Sequence, residues 1–118
     1  IVLIDDDPVE AMVIGGLLEH ADGAFAFESF TSVEAFSAAR DDGADLVLLD
    51  RRIPPHQSFS SSLSALESSD HHGPVVLITA GPCDETGLNW RGGLHGPMDK
   101  STLLTPEALA DLVRRVRA

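Results

Sequence analysis

The chain has 118 residues, of which 43% are apolar and 23% charged, a composition that predicts one globular domain over residues 1–118. Its 19 Asp and Glu against 8 Lys and Arg give a formal net charge of −11, which disfavours nucleic acid and anionic membrane as direct partners and favours a cation or a basic protein. The single cysteine, Cys83, excludes an internal disulfide and a cysteine-based zinc site, and no apolar run approaches the roughly 18 residues of a membrane span.

The sequence also gives expectations for the cellular compartment of the protein and for the start of the chain. One cysteine and no visible signal peptide are typical of a reducing cytoplasm, so we expect a cytoplasmic protein. The chain starts with Ile1 inside an apolar run rather than with Met, so we expect it to be a piece of a longer protein.

The first half of the chain alternates predicted strands and helices. The unbroken apolar runs at 1–4 (IVLI) and 46–49 (LVLL) predict strands covered on both faces, and 25–30 predicts a weaker strand. Asp7 is placed as the N-cap of a first helix, with Glu10 completing a capping box, and the apolar spacing predicts one buried face. That face comprises Val9, Met12, Val13, Gly16 and Leu17. A second helix is predicted from Thr31 to near Gly43, burying Val33 and Phe36.

The second half continues the alternation. A short helix is predicted around Leu63 and Leu66, a strand at 75–78 (VVLI), and a last helix capped by Thr105. The glycine-rich stretch between residues 80 and 99 is expected to hold a further helix and a fifth strand. The whole pattern predicts a doubly wound α/β fold with a five-stranded parallel sheet and helices on both faces.

Polar residues follow each predicted strand. Asp5, Asp6 and Asp7 follow the first run, Asp50 follows 46–49, and Thr79 follows 75–78. The carboxyl ends of parallel strands meet at one edge of the sheet, where open α/β sheets bind their ligands. Asp7 is explained as a helix cap, but Asp5, Asp6 and Asp50 have no comparable structural role. Such a group of carboxylates suits Mg²⁺, a cation that prefers oxygen ligands and that serves phosphoryl chemistry.

The single lysine of the chain, Lys100, lies just before the last helix, where the fifth strand is expected to end. A lone lysine is usually a surface charge. Its position at this strand end predicts instead that it joins the same edge of the sheet. Histidines offer no alternative metal site, because no HExxH motif or helical pair of histidines is present.

Four segments of the chain resemble the CheY-like receiver domain of two-component response regulators. They are IVLIDDDP, DLVLLDRRIP, VVLITA and the DK that precedes LTPEALADLVRRV. The resemblance covers the chain from the first strand to the last helix. It implies a flavodoxin-like sheet with strand order 2-1-3-4-5. It also implies a phosphoprotein of phosphorelay signal transduction, a switch rather than an enzyme beyond its own phosphorylation and dephosphorylation.

Individual roles follow from the resemblance. Asp50 would take a phosphoryl group from a histidine kinase or a histidine phosphotransfer protein. Mg²⁺ would be bound by Asp6 directly, by Asp5 through water, by Asp50 and by the backbone carbonyl of Arg52. Thr79 would donate a hydrogen bond to the phosphoryl group and Lys100 would pair with it. Downstream, Thr79 would shift inward and reshape the surface near the fifth strand.

The sequence departs from the family at several positions. Pro97 stands where the family usually has an aromatic residue that turns inward on activation, so the usual aromatic switch is in question. Ser101 replaces the proline that often follows the lysine. Arg51 and Arg52 follow Asp50 directly and are expected to face solvent, with the alternative that Arg52 leans over the acidic site. Trp90 is expected to be a buried anchor or a partner contact.

Two other functions remain open from the sequence. One is an interaction module of the receiver fold that has lost phosphorylation and binds a partner constitutively. The other is a small Mg²⁺-dependent phosphatase with an aspartyl nucleophile, against which Arg52 stands where such an enzyme needs a general acid. A homodimer also remains open, with the faces near Trp90 and the last helix as the candidates for pairing.

Overall fold

The computed structural model describes residues 1–20, 26–39, 46–51, 58–69, 71–80, 85, 87–103 and 105–117. Within these residues five strands form one parallel sheet and four α-helices connect or flank them. The strands are β1 (Val2–Ile4), β2 (Glu28–Phe30), β3 (Val47–Asp50), β4 (Val75–Thr79) and β5 (Leu94–Asp99). The helices are α1 (Pro8–Glu19), α2 (Val33–Ala39), α3 (Phe59–Leu66) and α4 (Pro106–Arg117), and a 3-10 turn over Lys100–Leu103 joins β5 to α4.

The strand order is β2-β1-β3-β4-β5, so the prediction of a doubly wound sheet with order 2-1-3-4-5 is confirmed. The register aligns the strand ends. Ile4 pairs with Leu49, Asp50 with Ile78, and Thr79 with Asp99. The residues that follow these strands therefore meet at one edge of the sheet, as expected for parallel strands. β5 joins β4 with an irregularity in register between Val76 and Ile78.

Alternate residues of the central strands enter two separate cores, because successive side chains of a strand point to opposite faces. On one face Val47 and Leu49 pack with α2 and α3. On the other face Leu46 and Leu48 pack with α1 and α4. Both faces of β3 and β4 are thus covered, which explains why their sequences are continuously apolar rather than alternating.

Helix capping follows the sequence closely. The backbone N–H of Val9 donates to the Asp7 side chain at 2.9 Å, and that of Ala108 donates to Thr105 at 3.1 Å. The second helix was predicted to start near Thr31, and α2 begins two residues later, at Val33, with Ser32 accepting the N–H of Ala35 at 3.0 Å. The predicted end of α2 near Gly43 lies outside the described residues.

The predicted buried face of α1 was wrong for Val9, Met12 and Val13, whereas Leu17 packs against the core as predicted. Ile14 and Leu18 are the buried residues, whereas Met12 is 76% exposed, Val9 63% and Val13 41%. The helix is apolar nearly all round, so spacing alone could not select the face.

The helix expected between β4 and β5 is absent from the described part of that connection, Glu85 and residues 87–93. This segment packs closely against residues 72 and 73, since a Cβ at Gly92 would collide with the carbonyl oxygens of Gly73 and His72. Trp90 is 7% exposed and packs in the α2–α3 core, so it is a buried anchor. In the described part of the chain, no helix combines the length and apolar character needed to cross a membrane.

Candidate functional site

The carboxyl edge of the sheet carries the predicted polar residues. Asp5 follows β1, Asp50 ends β3, Thr79 ends β4 and Lys100 follows β5. Asp5 is 3% exposed, and Asp50 and Thr79 are each 8% exposed. Buried polar groups at a strand end need partners, because an unpaired buried charge is costly.

Three carboxylates form a cluster at this edge, called here the carboxylate cluster: Asp5, Asp6 and Asp50. One oxygen from each of the three lies within 4.8 Å of the others, a spacing at which they could hold a metal ion. Asp5 and Asp50 are buried and Asp6 is exposed, so the cluster opens to solvent on one side. Carboxylate oxygens are the hard ligands that Mg²⁺ and Ca²⁺ prefer, and the cluster fits such a cation by its donor chemistry.

Lys100 lies between two of these carboxylates. Its Nζ donates to Asp5 Oδ2 at 3.0 Å and lies 2.9 Å from Asp50 Oδ1. Its side chain is 13% exposed, so the ammonium is largely removed from water. The prediction that Lys100 joins this edge of the sheet is therefore confirmed as geometry.

The charges in the site influence one another. Burial raises the pKa of Asp50; the hydrogen bond from Lys100 opposes this effect, the charge of Asp5 reinforces it, and the net pKa lies above the usual range. Burial disfavours the charged form of Lys100, but its hydrogen bonds to Asp50 and Asp5 outweigh burial and raise the pKa of the ammonium. Lys100 is therefore a fixed positive charge beside a buried carboxylate.

The loop after β1 holds Asp5 in place. The backbone N–H of Asp7 donates to Asp5 Oδ1 at 3.0 Å, while Asp5 Oδ2 accepts from Lys100. Because Asp5 already accepts the Asp7 N–H, Glu10 does not complete the predicted capping box there. The Glu10 carboxylate instead lies 3.7 Å from Lys100 Nζ and, after Asp5 and Asp50, is the third acid around the ammonium. The sequence offered one signal for this, the position of Glu10 in the first turn of the helix that leaves the site.

Thr79 and Arg52 are the remaining residues of the predicted site. Thr79 is buried beside Asp50 in the ladder, since Asp50 pairs with Ile78, the residue before Thr79. The predicted ligand Arg52 lies outside the described residues.

Glu85 is a residue that sequence reasoning missed. Its carboxylate accepts the backbone N–H of Phe59 at 3.1 Å and that of Ser60 at 3.4 Å, at the start of α3. Arg51 Nε donates to the same carboxylate at 3.2 Å. Burial of Glu85 works against ionisation, but these three hydrogen bonds outweigh it and lower the pKa of the carboxyl. Arg51, expected to face solvent, instead contacts Glu85.

The edge of the sheet thus combines a buried carboxylate nucleophile candidate, a fixed ammonium and an oxygen-rich cluster suited to a divalent cation. This combination can stabilise the transfer of an anionic group to Asp50. Comparisons of the chain with protein-family models, with curated proteins and with solved structures found no match.

Proposed function

We propose that the chain is a phospho-acceptor receiver domain of a two-component phosphorelay, in which Asp50 takes a phosphoryl group and switches a partner-binding surface. The observation that carries the proposal is the placement of Lys100 Nζ, 2.9 Å from Asp50 Oδ1 and 3.0 Å from Asp5 Oδ2, beside the carboxylate cluster. The phosphoryl donor would be the phosphohistidine of a histidine kinase or a histidine phosphotransfer protein. This function suits a reducing, cytoplasmic compartment.

The chemical step uses the residues of the site directly. An oxygen of the Asp50 carboxylate attacks phosphorus and forms a P–O bond, while the P–N bond to the donor imidazole breaks and its electron pair stays with the imidazole. The transferring phosphoryl group spreads negative charge over its three equatorial oxygens. The Lys100 ammonium, already charged and positioned, offers a compensating charge without reorganisation.

A magnesium ion would be held by Asp5, Asp6 and Asp50, with the Arg52 carbonyl added on the resemblance alone. When bound, such a cation neutralises charge on the phosphoryl oxygens. The carboxylate cluster supports this assignment because three acids, two of them buried, converge in one place. Lys100 neutralises part of their charge, and a divalent cation would offset the rest.

The test is incubation with acetyl phosphate and Mg²⁺ followed by intact mass measurement. In this reaction the P–O bond of acetyl phosphate breaks and acetate leaves with the electron pair. We expect one phosphoryl adduct on the wild type, none on Asp50→Asn, and none when Mg²⁺ is chelated. No adduct on the wild type, or an adduct that survives Asp50→Asn, would overturn the proposal.

The second candidate, an interaction module of the same fold without phosphorylation, is favoured by the connection between β4 and β5. Its described residues form no helix, and Pro97 is exposed on β5 at the position of the usual aromatic switch. A Mg²⁺ titration followed by NMR discriminates between the two. Saturable shifts at Asp5, Asp6 and Asp50 favour the receiver, and their absence at millimolar Mg²⁺ favours the module.

A further inference from the structure

The described part of the connection between β4 and β5, Glu85 and residues 87–93, is called here the strap. Its first residue holds the start of α3. The Glu85 carboxylate accepts the N–H groups of Phe59 and Ser60, two of the donors that a helix N-terminus leaves without intrahelical partners. A carboxylate at this end also interacts favourably with the positive end of the helix dipole.

The other end of the strap holds the end of α3. The Arg91 guanidinium donates to the carbonyl of Glu67 at 3.1 Å and to that of Ser69 at 2.9 Å, and it also donates to the carbonyl of His71. The same guanidinium lies 4.6 Å from the centre of the Trp90 ring, and Trp90 Nε1 donates to the Gly73 carbonyl at 2.9 Å. The strap is therefore attached at both ends of one helix by charged side chains.

Arg51 connects this strap to the phospho-acceptor candidate. It follows Asp50 in the chain, and its backbone N–H hydrogen-bonds the Asp50 carboxylate and lowers the pKa of that carboxyl. Its side chain donates to Glu85 Oε2, the oxygen that also accepts from Phe59. One residue thus contacts Asp50 through its backbone and the strap through its side chain.

We propose that Arg51 transmits the phosphorylation state of Asp50 to the strap: when Asp50 carries a phosphoryl group, the Arg51 guanidinium turns from Glu85 to the phosphoryl oxygens, and the strap loosens from α3. This inference rests on the proposed function and names the regulation of the same site. It assigns the switch to Arg51 and Glu85, where Pro97 cannot act as the usual aromatic residue.

The competition favours the phosphoryl group on charge. A phosphoryl group carries about −1.5 to −2 charges at neutral pH and three strong acceptor oxygens, whereas the Glu85 carboxylate carries a single charge. Guanidinium groups bind phosphate oxygens through paired N–H donors. The turn of Arg51 would remove one charged donor from the Glu85 carboxylate.

Loosening of the strap would uncover an apolar surface. In the strap, Trp90 belongs to the core that contains Leu63 and Leu66 of α3, and Leu88 packs against that core. Contiguous apolar surface that becomes exposed is typical of a protein–protein docking site. The surface presented after phosphorylation would therefore be the part of this core that Leu88 and Trp90 contact.

Trp90 is the single tryptophan of the chain and lies in the strap, so its fluorescence reports the strap directly. The experiment measures Trp90 emission and intact mass in the same samples, with acetyl phosphate and Mg²⁺, for the wild type, Arg51→Gln and the matched control Arg115→Gln, an exposed arginine on α4. We expect a phosphoryl adduct on all three. We expect phosphorylation to shift the emission to longer wavelength in the wild type and in Arg115→Gln. Arg51→Gln has lost the contact to Glu85 before any phosphoryl donor is added, so we expect no further shift in this variant on phosphorylation.

The failure of this inference differs from the failure of the proposed function. An adduct on the wild type without a Trp90 shift, or an equal shift in Arg51→Gln, overturns the coupling and leaves the proposed function standing. No adduct on the wild type overturns the proposed function and the coupling together.

The role of Glu85 is tested without any phosphoryl donor. We expect Glu85→Gln to shift Trp90 emission to longer wavelength by itself, whereas Glu67→Gln, an exposed acid at the other end of α3, should not. Circular dichroism confirms that each variant is folded. An unshifted emission in folded Glu85→Gln overturns the claim that Glu85 holds the strap.

Discussion

Glu85 and Arg91 lie on the same short strap and contact opposite ends of the same helix, α3. The acid accepts N–H groups at the helix start, and the guanidinium donates to carbonyl groups at and beyond the helix end. Each side chain has the opposite sign to the partial charge at its end of the helix, so both interactions are favourable. α3 thus gains from a distant segment the terminal partners that its serine-rich sequence supplies only in part, through the Ser58 cap.

Arg91→Ala should lower the free energy of unfolding by roughly 1–2 kcal/mol, because its bonds to three backbone carbonyls are lost together with its contact to Trp90. Arg91→Lys should recover less than half of the loss, since one ammonium cannot reproduce a planar fork of donors. Urea unfolding followed by circular dichroism measures both, with Arg115→Ala as the exposed control. Equal stability of Arg91→Ala and Arg115→Ala would contradict the prediction.

Lys100→Met should lower the free energy of unfolding by about 3 kcal/mol without divalent cations, because Asp5 and Asp50 then face each other unpaired. Mg²⁺ should restore more stability to this variant than to the wild type, since the cation would replace the missing positive charge. Urea unfolding with and without Mg²⁺ measures the difference, and Lys100→Arg serves as the charge-preserving control. A variant as stable as the wild type in chelator would refute the expectation.

Asp6→Asn should weaken Mg²⁺ binding by at least about tenfold, as loss of a ligand costs no less than loss of an outer partner. Asp7→Asn is the matched control, because it removes a neighbouring charge while asparagine keeps the helix cap. Isothermal titration calorimetry measures both affinities. Equal weakening in the two variants would show that Mg²⁺ responds to general charge rather than to the carboxylate cluster.

Protonation of His71 should lower the free energy of unfolding in mild acid. Burial lowers the pKa of His71; the hydrogen bond to the Pro74 carbonyl opposes this, and the nearby Arg91 charge reinforces it. The unfolded state therefore binds a proton more readily than the folded state. The contribution of the neutral ring is fully present above its ordinary pKa of 6.5 and is lost as pH falls through that value towards the lower folded pKa.

The measurement compares unfolding free energies between about pH 7.5 and about pH 5 for the wild type, His71→Gln and the exposed control His72→Gln. The difference between the wild type and His71→Gln should shrink as the pH falls, while His72→Gln should follow the wild type. A difference that is constant across this range would disprove the assignment. The comparison with a variant matters because the raised pKa of Asp50 acts in the opposite direction.

The sheet and the meeting of Asp5, Asp50 and Lys100 were predictable because they depend on rules that act over short stretches. A strand covered on both faces must be continuously apolar, and parallel strands must end at the same edge. Lys100 could be assigned to that edge because it lies between the fifth strand and the last helix. Its ion pairs with Asp5 and Asp50 then follow from the acids already there.

The remaining features depend on partners that spacing does not encode. α1 is apolar on several faces, so its sequence could not show that Met12 lies in solvent and Ile14 in the core. The position of Glu85 in a loop carries no periodic signal, although its partners are the N–H groups of a helix far along the chain. The glycine-rich strap was expected to contain a helix, but its packing against Gly73 and His72 leaves no room for a side chain at Gly92.

β5 lies at the margin of the sheet, where an open strand could recruit a strand from another molecule. Pro97, in its middle, has no N–H to offer to such a strand, and the irregular register beside it breaks the regular spacing of the remaining groups. Pro97 would therefore protect the domain against fibril growth at high concentration.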